Sequence, residues 1–136
     1  MMDDNCIFCK LANGVFPVNS IYEDEQFNVI LDNAPVTKGH ALILPKQHYK
    51  NIYEIPEKTA SDAFVLAKKL TEYMTDKLNA DGFNLLQNNN EAAGQSVPHF
   101  HLHLIPRYEG DGRNIDFGRS EATAEELTEV KNLLKQ

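Results

Sequence analysis

The sequence predicts an α+β fold: an antiparallel β-sheet of about five strands, one long central helix and a C-terminal helix. Three observations predict it. Short strand-like segments follow one another closely, one long apolar stripe of helical period divides them, and a second helical segment opens on a capping pattern near the end. Hairpin-length connections between some of the strands favour antiparallel pairing, because parallel strands need long crossovers.

Residues 6–12 (CIFCKLA) have room for one or two helical turns before Asn13-Gly14. Ser20–Glu23 reads as a short strand. Gln26–Leu31 reads as another, bounded by Asp24-Glu25 and Asp32-Asn33. His40–Leu44 (HALIL) is a further strand, expected to stop at Pro45, which has no N–H for a ladder. Pro56–Ala80 is the main helix: Ala60, Ala63, Phe64, Ala67, Leu70, Met74 and Leu78 recur at three- and four-residue steps. Pro56 suits its first turn, and Gly82 the position just past its end. Phe83–Asn88 is a strand, Asn89–Val97 a polar loop holding Gly94, and Pro98–Pro106 the next strand. Thr123-x-x-Glu126 is a capping box that opens the last helix, with Leu127, Val130, Leu133 and Leu134 as its buried stripe. There is no internal repeat, low-complexity tract or long linker, and residues 1–136 are expected to form one domain around one core.

A hydrophobic fraction of 42% and a charged fraction of 24% are those of a soluble globular protein. No apolar run approaches the roughly 20 residues of a membrane span. The opening MMDDNC is acidic and lacks the apolar stretch of a signal peptide, so a cytoplasmic location is expected. The net charge of −7 repels nucleic acid polymers. A single nucleotide remains a fitting ligand, held by backbone N–H groups, histidines or a metal. The two cysteines, Cys6 and Cys9, form one C-x-x-C. A structural disulfide is not expected in the cytosol, which leaves metal binding, redox chemistry or neither.

The segment richest in chemistry is His99-Phe-His101-Leu-His103-Leu-Ile105-Pro106, with three of the five histidines inside five residues. On a strand the three imidazoles line one face at steps of roughly 6.5–7 Å, while Phe100, Leu102 and Leu104 face the core. One neutral imidazole can attack phosphorus and a second can hydrogen-bond the oxygens as charge develops. An incidental metal-binding surface is the competing reading. Just upstream, Asn88–Ser96 combines Gly94, which permits close backbone approach, with Asn88, Gln95 and Ser96 as polar partners for a phosphate or leaving group. Such clusters are mostly plain loops, and position next to the histidines is what singles this one out.

The sequence here closely resembles the histidine triad (HIT) family, whose signature alternates three histidines with apolar residues. The likeness spans residues 5–108 and includes, in order, Cys6-Ile-Phe-Cys9-Lys, Tyr22-Glu-Asp-Glu, Ile30-Leu-Asp32, Thr37-Lys-Gly-His40, Ile43-Leu-Pro-Lys46-x-His48, Gly94-Gln-Ser96 and Ile105-Pro-Arg107. The resemblance implies a homodimer that binds a purine nucleotide and cleaves the bond to its α-phosphorus. His101 would be the nucleophile, His103 would contact the phosphate or departing group, and His40 would be the fourth histidine near the site. Asp32 would accept the ribose hydroxyls. Phe8, Ile30 and Leu31 would line the base and ribose pocket; Asn88, Gly94, Gln95 and Ser96 would hold phosphate and leaving group. Each has a plainer alternative: core for the apolar residues, a turn for Asp32, a half-buried structural ring for His40.

For the cysteines, the resemblance to zinc-containing members adds His48 and His99, giving a structural zinc on Cys6, Cys9, His48 and His99. A thioredoxin-type site should instead follow a strand and open a long helix. The sequence departs from many relatives in carrying Pro98 before the triad, in having no Trp, and in a segment 109–136 that matches no motif. The implied reaction is a double displacement on His101. Its substrate is a nucleoside phosphoramidate or a dinucleoside polyphosphate, with magnesium as a companion ion for the latter; a zinc- or nucleotide-binding interaction protein with little turnover is the other reading.

Overall fold

The computed structural model describes residues 1–136. Its elements are α1 (Ile7–Ala12), β1 (Ser20–Glu23), β2 (Phe27–Leu31), β3 (Ala41–Pro45), α2 (Glu57–Leu78), β4 (Gly82–Leu86), a 3-10 turn over Glu91–Ala93, β5 (Leu102–Arg107) and α3 (Ala124–Leu134). The five strands form one sheet in the order β1-β2-β3-β5-β4, every pair antiparallel. The expected α+β architecture is present. Because β5 sits between β3 and β4, the histidine-bearing strand lies inside the sheet, not at its edge.

Strand alternation sorts the side chains onto two faces. Phe27 and Val29 of β2, Ala41 and Ile43 of β3, and Leu102 and Leu104 of β5 pack against Ala63, Leu66, Ala67, Leu70 and Met74 of α2. Burying each large side chain of this set contributes about 1.5–3 kcal/mol. The opposite face carries Ile30, Leu42 and Leu44, covered by Ala12 with Phe8, Leu11 and Val18 beside it. Leu42 is the register partner of both Ile30 and His103. His103 therefore stands on the face of α1, within a row that Leu86 of β4 continues.

Several expectations need correction. The histidine strand begins at Leu102, not Pro98, because the chain before it is held elsewhere: the Phe100 N–H donates to Tyr49 O at 2.7 Å and the His99 N–H to Val97 O at 2.8 Å. Pro45 closes β3 from within, opposite Phe27. Helix α2 ends on Asn79 in the left-handed conformation (φ 52°), so Gly82 is not its cap and instead begins β4. Phe64 is 59% exposed and lies outside the buried stripe of α2, whose buried large members are Leu66, Leu70 and Met74. The capping box of α3 is formed as expected, with Thr123 and Glu126 bonded reciprocally. Its apolar stripe is not buried: Leu127, Val130, Leu133 and Leu134 are all exposed, because α3 stands clear of the sheet and of α2.

Gly39 precedes β3 at φ +92°, a region L-residues rarely adopt. A Cβ there would lie 2.5 Å from Leu78 Cδ1 and 3.3 Å from Pro106 Cγ. Gly39→Ala is expected to destabilise the fold by about 1–3 kcal/mol through strain and crowding. The denaturant midpoint measures it, and an unchanged midpoint would refute the assignment.

Candidate active site

The His101 Nδ1 lies 2.7 Å from the carbonyl oxygen of His99. A carbonyl only accepts, so Nδ1 carries the proton and Nε2 keeps the lone pair. The ring is buried, which lowers its pKa below the ordinary histidine value against the pull of its own hydrogen bond and of Asp32. His101 is thus a neutral imidazole with one bare nitrogen. The edge of Phe8 packs against it, with ring centroids 4.9 Å apart. His103 follows at a centroid distance of 4.9 Å, closer than even spacing along a strand because His101 precedes β5. Burial, then the neighbouring His101 and His40, push the His103 pKa down to about 4.

His40, buried just before β3, brings Nε2 to 3.0 Å from His103 Nδ1. Burial lowers its pKa, opposed by Asp32. One Asp32 carboxylate oxygen lies 3.8 Å from His40 Nε2; the other accepts the N–H of Ala34 at 2.8 Å, so Asp32 also fulfils its plainer role as a turn residue. Ile30 and Leu31 border a cleft of about 170 Å³ together with Leu11, Val18 and Asn33. Leu31 otherwise packs toward the α2 side, while Ile30 and Phe8 belong to the α1 side.

The polar loop Asn88–Ser96 precedes the histidine segment along the chain. Gly94 adopts φ +90°, and a Cβ on it would stand 3.8 Å from Asn88 Nδ2. Ser96 is exposed and borders a cleft of about 500 Å³ with Lys50, Asn90 and Pro98. Gln95 points inward: its Nε2 donates to Lys50 O and Val97 O at 2.7 and 3.0 Å, and its Oε1 accepts the Asn90 N–H at 2.7 Å. Its side chain holds the loop in shape. Buried Asn51 does the same by donating to Asn90 Oδ1 at 2.9 Å. Sequence reasoning missed Asn51, since a lone Asn carries no pattern.

A second cluster gathers Cys6, Cys9, His48 and His99, whose ligand atoms all lie within 4.8 Å of one another. The thiol sulfurs stand 3.3 Å (Cys6) and 3.4 Å (Cys9) from His99 Nδ1, and Cys9 Sγ 3.3 Å from His48 Nδ1. A tetrahedron with zinc-type bond lengths has edges of about 3.3–3.8 Å. His99 Nε2 donates to Pro45 O at 2.9 Å, which turns the lone pair of Nδ1 toward the sulfurs. Backbone N–H groups of Cys9 and Asp3 reach the two sulfurs, both at 3.3 Å. Burial first, and then Cys6, push the Cys9 thiol up to about 11 in the metal-free state. The donor set and its orientation fit a soft tetrahedral cation.

Fold and site together define a class: a small α+β protein with a bare imidazole nitrogen just before its inner, histidine-bearing strand and a separate Cys₂His₂ group beside it. Residues 13–110 match the HIT domain family, and the chain belongs to it. It is 44% identical to an uncharacterised HIT-like protein of Methanocaldococcus jannaschii over 130 residues, covering 96% of this chain and 98% of that one. It is 42% identical to the adenosine 5′-monophosphoramidase of Saccharomyces cerevisiae over 106 residues, covering 78% and 65%. Among solved structures, a zinc-bound histidine triad family protein from Mycobacterium smegmatis superposes with a TM-score of 0.77 at 34% identity, over 95% of this chain and 97% of that one.

The depressed imidazole pKa values couple the site to stability. Below the ordinary value of 6.5 the unfolded chain takes up protons that folded His103 refuses until about pH 4, and His40 and His101 shift the same way. Stability is therefore full above about pH 6.5 and is lost as pH falls toward 4. The Tm of the metal-free protein is expected to drop by roughly 5 °C between pH 7 and 5. A flat Tm over that range, read by thermal melts, would contradict the buried neutral rings.

Proposed function

We propose that this chain is a nucleotide hydrolase that cleaves the bond to the α-phosphorus of a purine nucleoside 5′-phosphate derivative, a nucleoside phosphoramidate in particular. The observation that carries the reading is the bond from His101 Nδ1 to His99 O, which leaves Nε2 bare and directed as a nucleophile. Nε2 attacks phosphorus, the P–N bond to the leaving amine breaks, and the amine departs with a proton from His103 or Ser96. Water then attacks the nucleotidyl-imidazole. The Nε2–P bond breaks, the nucleoside monophosphate leaves, and a proton from the water restores the donor. Asp32 receives the ribose hydroxyls, Phe8, Ile30 and Leu31 take the base, and Asn88, Gly94 and Ser96 contact the phosphate, on a loop that Gln95 holds. The monophosphoramidase activity named for the yeast relative supports the choice of leaving group.

A second reading, hydrolysis of a dinucleoside polyphosphate with magnesium accompanying the phosphates, has its own support. The cleft of about 500 Å³ beside Ser96 offers room and the cation Lys50 for a second anionic group. A homodimer fits the exposed edge strand β4 and the exposed Phe64, Val65 and Tyr73 of α2. A cytoplasmic setting fits two buried cysteines that are free of any disulfide, and no helix is long and apolar enough to cross a membrane.

The test is AMP release from adenosine 5′-phosphoramidate and from a diadenosine polyphosphate, side by side. His101→Ala is expected to lower kcat by roughly a thousandfold or more. The preferred substrate chooses between the two readings. No release by folded protein that still binds AMP would favour a binding protein with little turnover.

We further infer that Cys6, Cys9, His48 and His99 hold one structural zinc, which ties α1 to the segment bearing His101 and has no open position for water. Elemental analysis should find one zinc per chain. Cys6→Ser should lose it and lower the Tm by roughly 5 °C or more. Metal-free wild-type protein after chelator-free purification would overturn the assignment.

A further inference from the structure

The loop from Asp32 to His40 does more than carry those two side chains. The Val36 N–H donates to His40 Nδ1 at 3.0 Å. An amide N–H can only donate, so Nδ1 is the bare nitrogen and neutral His40 carries its proton on Nε2. That Nε2 lies 3.0 Å from His103 Nδ1, which fixes the direction of the next bond: His40 donates and His103 accepts. The proton of neutral His103 is then confined to its own Nε2. His101 is ordered the opposite way, with its proton on Nδ1 facing His99 O. Two adjacent imidazoles thus offer a bare Nε2 and an Nε2–H.

Asp32, His40 and His103 also place their ligand atoms within 4.8 Å of one another, the outline of a cation site. The proton order argues against a metal there. A cation on His40 Nε2 needs the proton moved to Nδ1, where it would meet the Val36 N–H head-on. The cluster is a chain of ordered protons.

What holds Val36 in place comes from the far end of the fold. Three consecutive residues of the loop are each bonded to the segment that ends and follows β5. Val36 O accepts from Arg113 Nε at 2.8 Å, Thr37 Oγ1 donates to Pro106 O, and Lys38 O accepts from the Tyr108 hydroxyl at 2.7 Å. Arg113 is fixed in turn. Its carbonyl accepts from Arg107 at 2.7 Å, and Asp111 receives both the Arg113 N–H and the forked Arg107 guanidinium.

We propose that residues 106–113 clamp the Val36–Lys38 turn so that the Val36 amide, acting through His40, holds His103 as an Nε2–H donor beside the bare nitrogen of His101. Arg113 and His40 are positioning residues in this scheme. Its catalytic consequence rests on the nucleotidyl-histidine reading; the proton order does not.

The experiment is two-bond 1H–15N correlation NMR on ¹⁵N-histidine-labelled protein, with kinetics on adenosine 5′-phosphoramidate alongside. Wild type should show His40 and His103 protonated only at Nε2, and His101 only at Nδ1. His40→Leu should leave His103 a mixture of tautomers and lower kcat about tenfold or more with KM within about twofold. His40→Gln returns an N–H donor and should restore the single His103 tautomer and most of kcat. Arg113→Ala, at an exposed position that spares the core, should speed hydrogen exchange at the Val36 amide by about tenfold. Wild-type His103 protonated at Nδ1, Leu and Gln variants with the same His103 spectrum, or unchanged exchange at Val36 would each overturn the clamp. If wild type turns over no phosphoramidate while the spectra come out as expected, the substrate reading fails and the clamp stands.

Discussion

Three buried imidazoles in this protein each commit one ring nitrogen to a backbone atom, and the rest of the site depends on that constraint. His99 gives Nε2–H to Pro45 O, His101 gives Nδ1–H to His99 O, and His40 accepts at Nδ1 from the Val36 N–H. An imidazole in water has two equivalent faces and two tautomers. Here the main chain removes the choice. Each ring is left with one defined nitrogen for chemistry: a lone pair toward two sulfurs, a lone pair toward the site, a proton toward His103. Burial keeps the rings neutral, so the assignments hold at neutral pH.

The same constraint links the two clusters. The oxygen that orients His101 belongs to His99, and the oxygen that orients His99 belongs to the last residue of β3. The Cys₂His₂ group and the bare nitrogen of His101 are successive stations on one short piece of chain. Strand β3 anchors both ends of this arrangement, since His40 sits just before it and Pro45 closes it. This explains why the segment from His99 to His101 leaves the sheet. The His99 oxygen, outside the ladder, is free to take the His101 ring.

Much of this was legible in the sequence. The strand order of events along the chain, the long helix, the capping box at Thr123 and the alternation of His101 and His103 with Phe100, Leu102 and Leu104 all follow from local periodicity, and the structure reproduces them. The Cys/His cluster was legible through resemblance. Two kinds of feature were not. Exposure of the α3 stripe and of Phe64 is decided by what stands opposite a helix, which periodicity does not report. Main-chain groups such as the Val36 N–H and the His99 carbonyl do not depend on side-chain identity, proline's missing N–H aside, and leave no trace in a motif. Leu31 shows the limit well. The family resemblance groups it with Ile30 for the base pocket, yet adjacent residues on a strand face opposite ways, and the cleft at the end of β2 lets both border one space.

The clamp after β5 bears on where this molecule can be cut. The stretch that matches the family runs from residue 13 to residue 110; a chain shortened only at residue 110 would keep every histidine and both cysteines, the cysteines lying before the matched stretch. It would lose Asp111 and Arg113, and with them the bond to Val36 O, while the bonds from Thr37 to Pro106 and from Tyr108 to Lys38 would remain. A fragment meant to keep the site intact therefore has to be drawn by hydrogen-bond connectivity instead of by the edge of sequence similarity. Grafting this site onto another sheet would require transplanting the eight residues from Pro106 to Arg113 along with the histidines.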